Sequence, residues 1–100
     1  SSALEISKKE YTKMIDCGKI KSTLVLRKPL PDDYIVISKN GGTKKLSRYF
    51  TAEKIERERR QDMPVVADGN EIVWVVGMRL SERYKVDSET QTVAVIEYIK

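Results

Sequence analysis

Residues 64–76 read PVVADGNEIVWVV, and the reading of this stretch decides the fold. Two runs rich in valine and isoleucine, at 64–67 and 71–76, flank Asp68-Gly69-Asn70, whose residue types close a tight hairpin. Every position from 72 to 76 is apolar. A strand of that kind is covered on both faces, so the hairpin predicts a layered β core rather than a sheet with one wet side.

Working outward, residues 83–86 and 91–99 predict two further strands joined by a polar turn at 87–90. Upstream, residues 23–27 alternate as a strand stopped by Pro29 and Pro31, and 34–37 form a second compact apolar run. A short first strand is expected at 4–7. Residues 8–21 are polar, with Tyr11, Met14, Ile15 and Ile20 as the only anchors, and receive no element. Asn40-Gly41-Gly42 is a turn, after which Leu46, Tyr49 and Phe50 stand at i, i+3 and i+4, the spacing of an apolar helical stripe. Thr43 is the expected N-cap of a helix at about 44–50, and Thr51 of a second at about 52–60, with Ile55 its chief apolar contact. The second helix must stop before Pro64. The fold class is therefore α+β: a layered, β-sandwich-like core with two short helices packed across it, in a single domain over residues 1–100 of which 1–22 are the least patterned.

The charge is unevenly placed. Residues 39–60 carry eight basic and three acidic side chains, net +5, whereas the other 78 carry 11 and 12, net −1. A domain with its excess charge on one segment has an electrostatic face, and polyanions are the usual partners of such faces. The competing reading is a solvated helix laced with its own salt bridges. Two pairs have the favourable i, i+4 orientation, Glu53 with Arg57 and Glu56 with Arg60, which leaves Arg57 and Arg60 divided between internal pairing and ligand contact.

Other classes are set aside by what is missing. The chain has no histidine and one cysteine, Cys17, so the usual zinc ligand sets cannot be assembled, no intrachain disulfide forms, and the commonest neutral-pH base is absent. No apolar run approaches the roughly 20 residues of a membrane span. A cytoplasmic, non-membrane setting and no metal or cofactor in this domain are the expectation. The opening Ser-Ser-Ala-Leu-Glu, without a Met, suggests a piece of a longer protein.

The segment Gly41-Gly-Thr-Lys-Lys-Leu-Ser-Arg48 is the candidate site. With a helix starting at Lys44, two cations sit at a helix N-terminus, where they are unfavourable by roughly 0.3–1 kcal/mol each. A bound phosphate removes that conflict, with Arg48 one turn on. A nucleotide P-loop does not fit the spacing: Ile37, not glycine, stands five residues before Gly42, and Lys45 rather than a hydroxyl residue follows Lys44. Trp74, Tyr49 and Phe50 are read as core, which leaves few aromatics for stacking bases and points to recognition by phosphate and shape.

Leu26-Arg27, Asp33, Gly42-Thr-Lys-Lys-Leu-Ser47, Phe50, Lys54-Ile55, Arg60, Pro64-Val-Val66, Ile72-Val-Trp-Val75, Gly77, Arg79, Tyr84-Lys-Val86 and Thr90 together resemble the C-terminal domain of tRNA(Ile)-lysidine synthetase. The likeness runs over residues 23–95. It departs at Asp32, where the family has glycine before aspartate, at Glu56, where a proline is common, and at Lys39, where a glycine is usual.

The resemblance implies an α+β domain with a β-sandwich, belonging to an ATP-dependent ligase that joins lysine to the wobble cytidine of isoleucine tRNA. ATP with magnesium belongs to an N-terminal domain bearing a Ser-Gly-Gly-x-Asp-Ser loop, which this chain lacks. The chain itself is then non-catalytic and contacts tRNA(Ile), notably its acceptor stem and backbone. Carried over position by position, the tRNA-facing residues are Lys44, Lys45, Arg48, Lys54, Arg60 and Arg79, with charge alone supporting Arg48. Arg79 has Glu82 and Asp68 as alternative partners. The rival reading is a module that docks onto the other domains of the parent enzyme or onto a second copy in a homodimer. A small enzyme or nucleotide-binding domain is the third.

Overall fold

Strand β6, Glu71–Val75, is buried at all five positions. It is the middle strand of the five-stranded sheet in a computed structural model that describes residues 11–99. The strand expected at 4–7 lies outside the described residues. In chain order the strands are β1 Thr12–Asp16, β2 Leu24–Arg27, β3 Tyr34–Val36, β4 Thr43–Lys45, β5 Val65–Asp68, β6 and β7 Val93–Glu97. The helices are α1 Leu46–Ala52 and α2 Arg57–Arg60, with 3-10 turns at Cys17–Lys19 and Glu82–Tyr84. The main sheet runs β2-β5-β6-β3-β4, with only β3 and β6 parallel, and β1 pairs with β7 in a separate antiparallel ribbon.

Three layers result. On one face of the main sheet, Ile35, Val65, Ala67, Ile72 and Val75 pack against Leu46, Tyr49 and Phe50 of α1. On the other, Val73, Trp74 and Val76 pack against Ile15 and Tyr84, with Ala94 and Ile96 of the ribbon at the margin. A bulge divides β6 between the two cores. Val66 opposes Trp74 and Ala67 opposes Ile72, so Val73 is the extra residue and two successive side chains, Val73 and Trp74, enter the same core. The hairpin read from 64–76 closes through Gly69 at φ +69°, and the layered α+β core with two short helices across it is present.

Several boundaries differ. Thr43 does not cap a helix. Gly41 at φ +92° closes a β-hairpin, and Thr43, Lys44 and Lys45 pair with Val36, Ile35 and Tyr34. The open edge of β3 supplies backbone partners that a helix at 44 cannot use, so α1 starts two residues late, its Leu46 N–H donating to Asp33 O at 3.0 Å. Thr51 lies inside α1, its hydroxyl donating to Ser47 O at 3.0 Å. The helix ends in a Schellman motif, with Lys54 N–H on Thr51 O and Ile55 N–H on Phe50 O and with Lys54 in the left-handed region at φ +61°. The second helix therefore shrinks from 52–60 to Arg57–Arg60, though it stops before Pro64 as expected. Residues 83–86 form a 3-10 turn and a single bridge from Lys85 to Ile15 rather than a strand. The last strand is shorter than 91–99, and its partner β1 lies in the stretch that received no element.

Candidate nucleic-acid interface

The change at residue 44 alters the candidate site. In a strand, successive side chains take opposite faces. Lys44 pairs with the fully buried Ile35 on the α1 side of the sheet, whereas Lys45 shares the opposite face with Tyr34. The two ammonium groups therefore do not converge on one phosphate at a helix end. They flank the two sides of the β3–β4 hairpin, Lys44 half-buried and Lys45 exposed.

Beyond the hairpin, Arg48 is exposed on α1 and Lys54 on its C-terminal turn. Arg57 and Arg59 are exposed on α2. The break at Lys54 dissolves the expected helical pairing: neither Glu53–Arg57 nor Glu56–Arg60 is among the ion pairs of the described residues. Arg57 and Arg59 thus join Lys44, Lys45, Arg48 and Lys54 as cations with no ion pair among the described residues. A continuous helix over 52–60 would pair Arg57 with Glu53, and the positive φ at Lys54 that divides it carries no signal in the residue type.

Arg60 and Arg79 are placed differently. Arg60 donates from Nε to Ile55 O at 2.9 Å and from Nη2 to Thr51 Oγ1 at 3.2 Å, and its guanidinium stands 5.7 Å from the centre of the Phe50 ring. It fastens α2 to the end of α1. Arg79 donates from Nη2 to Ile37 O at 2.8 Å and lies 3.4 Å from Glu82 Oε2, so of its two alternatives the partner is Glu82. Asp68 is engaged elsewhere, accepting from Lys21 N, Ser22 N, Ser22 Oγ and Tyr84 Oη. Burial opposes ionisation of Asp68, but those donors outweigh it and hold the carboxyl below its ordinary range.

The aromatic side chains offer little to a base. Trp74 is 1% exposed, Phe50 2% and Tyr49 6%, all of them core. The surface around α1 and α2 presents charge with its core aromatics out of reach, a composition suited to an anionic backbone rather than to stacking on bases. Among the described residues no group of three or more His, Cys, Asp or Glu side chains is placed to hold a metal ion, and no helix is long and apolar enough to cross a membrane.

Comparison with known proteins adds family context. A family profile described as the TilS substrate C-terminal domain matches residues 24–98. The tRNA(Ile)-lysidine synthase of Caldanaerobacter subterraneus subsp. tengcongensis is 48% identical over 96 residues, which is 96% of this chain and 21% of that protein. The tRNA(Ile)-lysidine synthase of Clostridium tetani is 33% identical over 92 residues, 92% of this chain and 20% of that one. A crystal structure of a TilS C-terminal domain matches with a TM-score of 0.67 at 26% identity, over 91% of this chain and 73% of the other. The chain spans about a fifth of the length of the curated relatives it matches.

Proposed function

The chain belongs to the family of tRNA(Ile)-lysidine synthase C-terminal domains, and from that premise we propose that it is the non-catalytic tRNA-binding domain of such an enzyme. It holds the phosphate backbone of tRNA(Ile), acceptor stem included, through Lys44, Lys45, Arg48 and Lys54. Arg57 and Arg59 extend this surface, and Arg60 and Arg79 shape it. Joining lysine to the wobble cytidine, with ATP and magnesium, falls to the parts of the cytoplasmic parent enzyme outside this chain. The observation that carries the reading is the set of six cations at 44–59 with no ion pair among the described residues, while Tyr49, Phe50 and Trp74 are buried.

Phosphate contacts fix orientation and carry no sequence information of their own. A domain of this kind orients a large substrate so that chemistry elsewhere meets the correct base. Its affinity for an isoleucine-tRNA transcript should fall with salt at a log–log slope of about −2 to −4, corresponding to three or four phosphates neutralised. Binding indifferent to salt contradicts the proposal.

One observation favours a second reading, docking onto another domain of the parent. The ribbon's outer face exposes Met14 at 55% and its cross-strand partner Val95 at 65%, with Val93 beside them. Under this reading the remainder of the parent enzyme, supplied separately, binds the chain in sedimentation experiments, and Met14→Lys/Val95→Lys abolishes that binding. Unchanged sedimentation of the mixture removes the docking reading and leaves the tRNA one.

A further inference from the structure

A cleft of about 510 Å³ opens on the face of the main sheet opposite α1. Val36 of β3 lines it, and its walls come from three separate parts of the chain: Lys19 of the first 3-10 turn, Lys39 of the β3–β4 hairpin loop, and Arg83 and Lys85 around the second 3-10 turn. Glu82 and Asp87 are its acidic members.

The cations of the cleft outnumber its available anions. Glu82 already receives Lys85 Nζ at 2.5 Å and Arg79 Nη2 at 3.4 Å, and Asp87 Oδ1 accepts from Glu89 N at 2.9 Å. Arg83 turns Nε toward the buried Glu71 at 3.4 Å, with its side chain 43% exposed. Lys19 and Lys39 form no ion pair or side-chain hydrogen bond among the described residues, and Lys39 only adds, after Lys85 and Arg79, to the charge that holds Glu82 below its ordinary range. Two lysines and the outer nitrogens of Arg83 thus meet solvent across one opening, where a shared anion relieves their mutual repulsion.

The lining also selects the kind of anion. It has no aromatic ring against which a base could stack. Lys45 lies on the same face of the sheet as Val36, because Thr43, one pleat before it, is Val36's cross-strand partner. The cleft is therefore continuous in facing with one of the cations already assigned to RNA. We infer that this cleft is a second phosphodiester site for the same RNA, so that the backbone is held on both faces of the β3–β4 hairpin. This rests on the tRNA-binding reading above and enlarges its footprint.

The test pairs Lys19→Ala/Lys39→Ala with the Lys44→Ala/Lys45→Ala/Arg48→Ala variant, in anisotropy titrations of the isoleucine-tRNA transcript over a salt series. Neither lysine supports the fold, so an unchanged thermal midpoint is expected for the cleft variant. Its log–log salt slope should be shallower by about 1.5, two phosphate contacts fewer. An unchanged slope in the cleft variant overturns the cleft inference, whatever the triple variant does. Loss in the triple variant alone leaves the proposed function standing without the cleft, and loss in the cleft variant alone moves the RNA face to the cleft. Amide shifts at Lys19, Lys39, Arg83 and Lys85 on titration with a short RNA duplex locate the contact directly. Saturation of those amides by ATP or pyrophosphate, with no response to the duplex, overturns the assignment to RNA.

Discussion

Arg27 meets Asp33 with both terminal nitrogens, Nη1 on Oδ2 and Nη2 on Oδ1, each at 2.8 Å. Asp33 is fully buried and also accepts from Leu30 N and Asn70 Nδ2, so one carboxylate ties β2, the 28–33 loop and the β5–β6 turn together. Asp33→Asn leaves the guanidinium without its counter-charge and should cost about 3 kcal/mol in urea unfolding at neutral pH. A loss within a few tenths of a kcal/mol would show that the network is ornamental.

The same residue sets an acid limit. Burial works against the charged carboxyl, but Arg27, the Leu30 N–H and Asn70 outweigh it and hold Asp33 below its ordinary range. A group depressed in the fold stabilises fully above its unfolded pKa of about 4, and that contribution is lost as the pH falls through the folded value. Melting temperatures of the parent chain should decline below about pH 4. Asp33→Asn, measured in parallel, should decline less steeply over that interval.

Lys54 carries a left-handed backbone at the position where helices most often place glycine. Lys54→Gly removes the Cβ conflict while the freer unfolded chain takes back part of the gain. A net stabilisation of about 0.5–1 kcal/mol by chemical denaturation is expected. Destabilisation would mean that the lysine stem contributes packing that offsets the strain.

Arg60 and Arg57 are neighbours on α2 with opposite assignments. Arg60→Ala removes the link from α2 to Ile55 O and Thr51 and should cost about 1–2 kcal/mol. Arg57→Ala should leave stability within about 0.5 kcal/mol and reduce the salt slope of RNA binding by about 0.7–0.9. The reverse pattern would exchange their roles.

The parts of the fold visible in sequence are those with local signals. The apolar run 72–76, Gly69 and Pro64 each act through their own residue types and each marks the element expected, whereas Gly41 marks the expected turn but closes a β-hairpin instead of leading into a helix. Thr12–Asp16 escaped because only Ile15 is an apolar residue in full burial and its partner strand lies at the other end of the chain. Residues 43–45 escaped for a related reason: the helical spacing of Leu46, Tyr49 and Phe50 is real, but pairing with β3 takes the residues just before it. That single shift separates Lys44 from Lys45. Arg27 and Asp33 carry part of the family resemblance, and the fold gives them a structural task. The cleft of Lys19, Lys39, Arg83 and Lys85 has no sequence signal, because three distant segments build it.

The most direct measurement is the tRNA(Ile) salt series on the Lys44→Ala/Lys45→Ala/Arg48→Ala variant beside the parent chain, after equal thermal midpoints show both folded. The expected result is weaker binding with a slope shallower by about 2, as three phosphate contacts at roughly 0.7–0.9 each are removed. Equal affinity and equal slope in the two proteins would contradict the assignment of the RNA face to these residues.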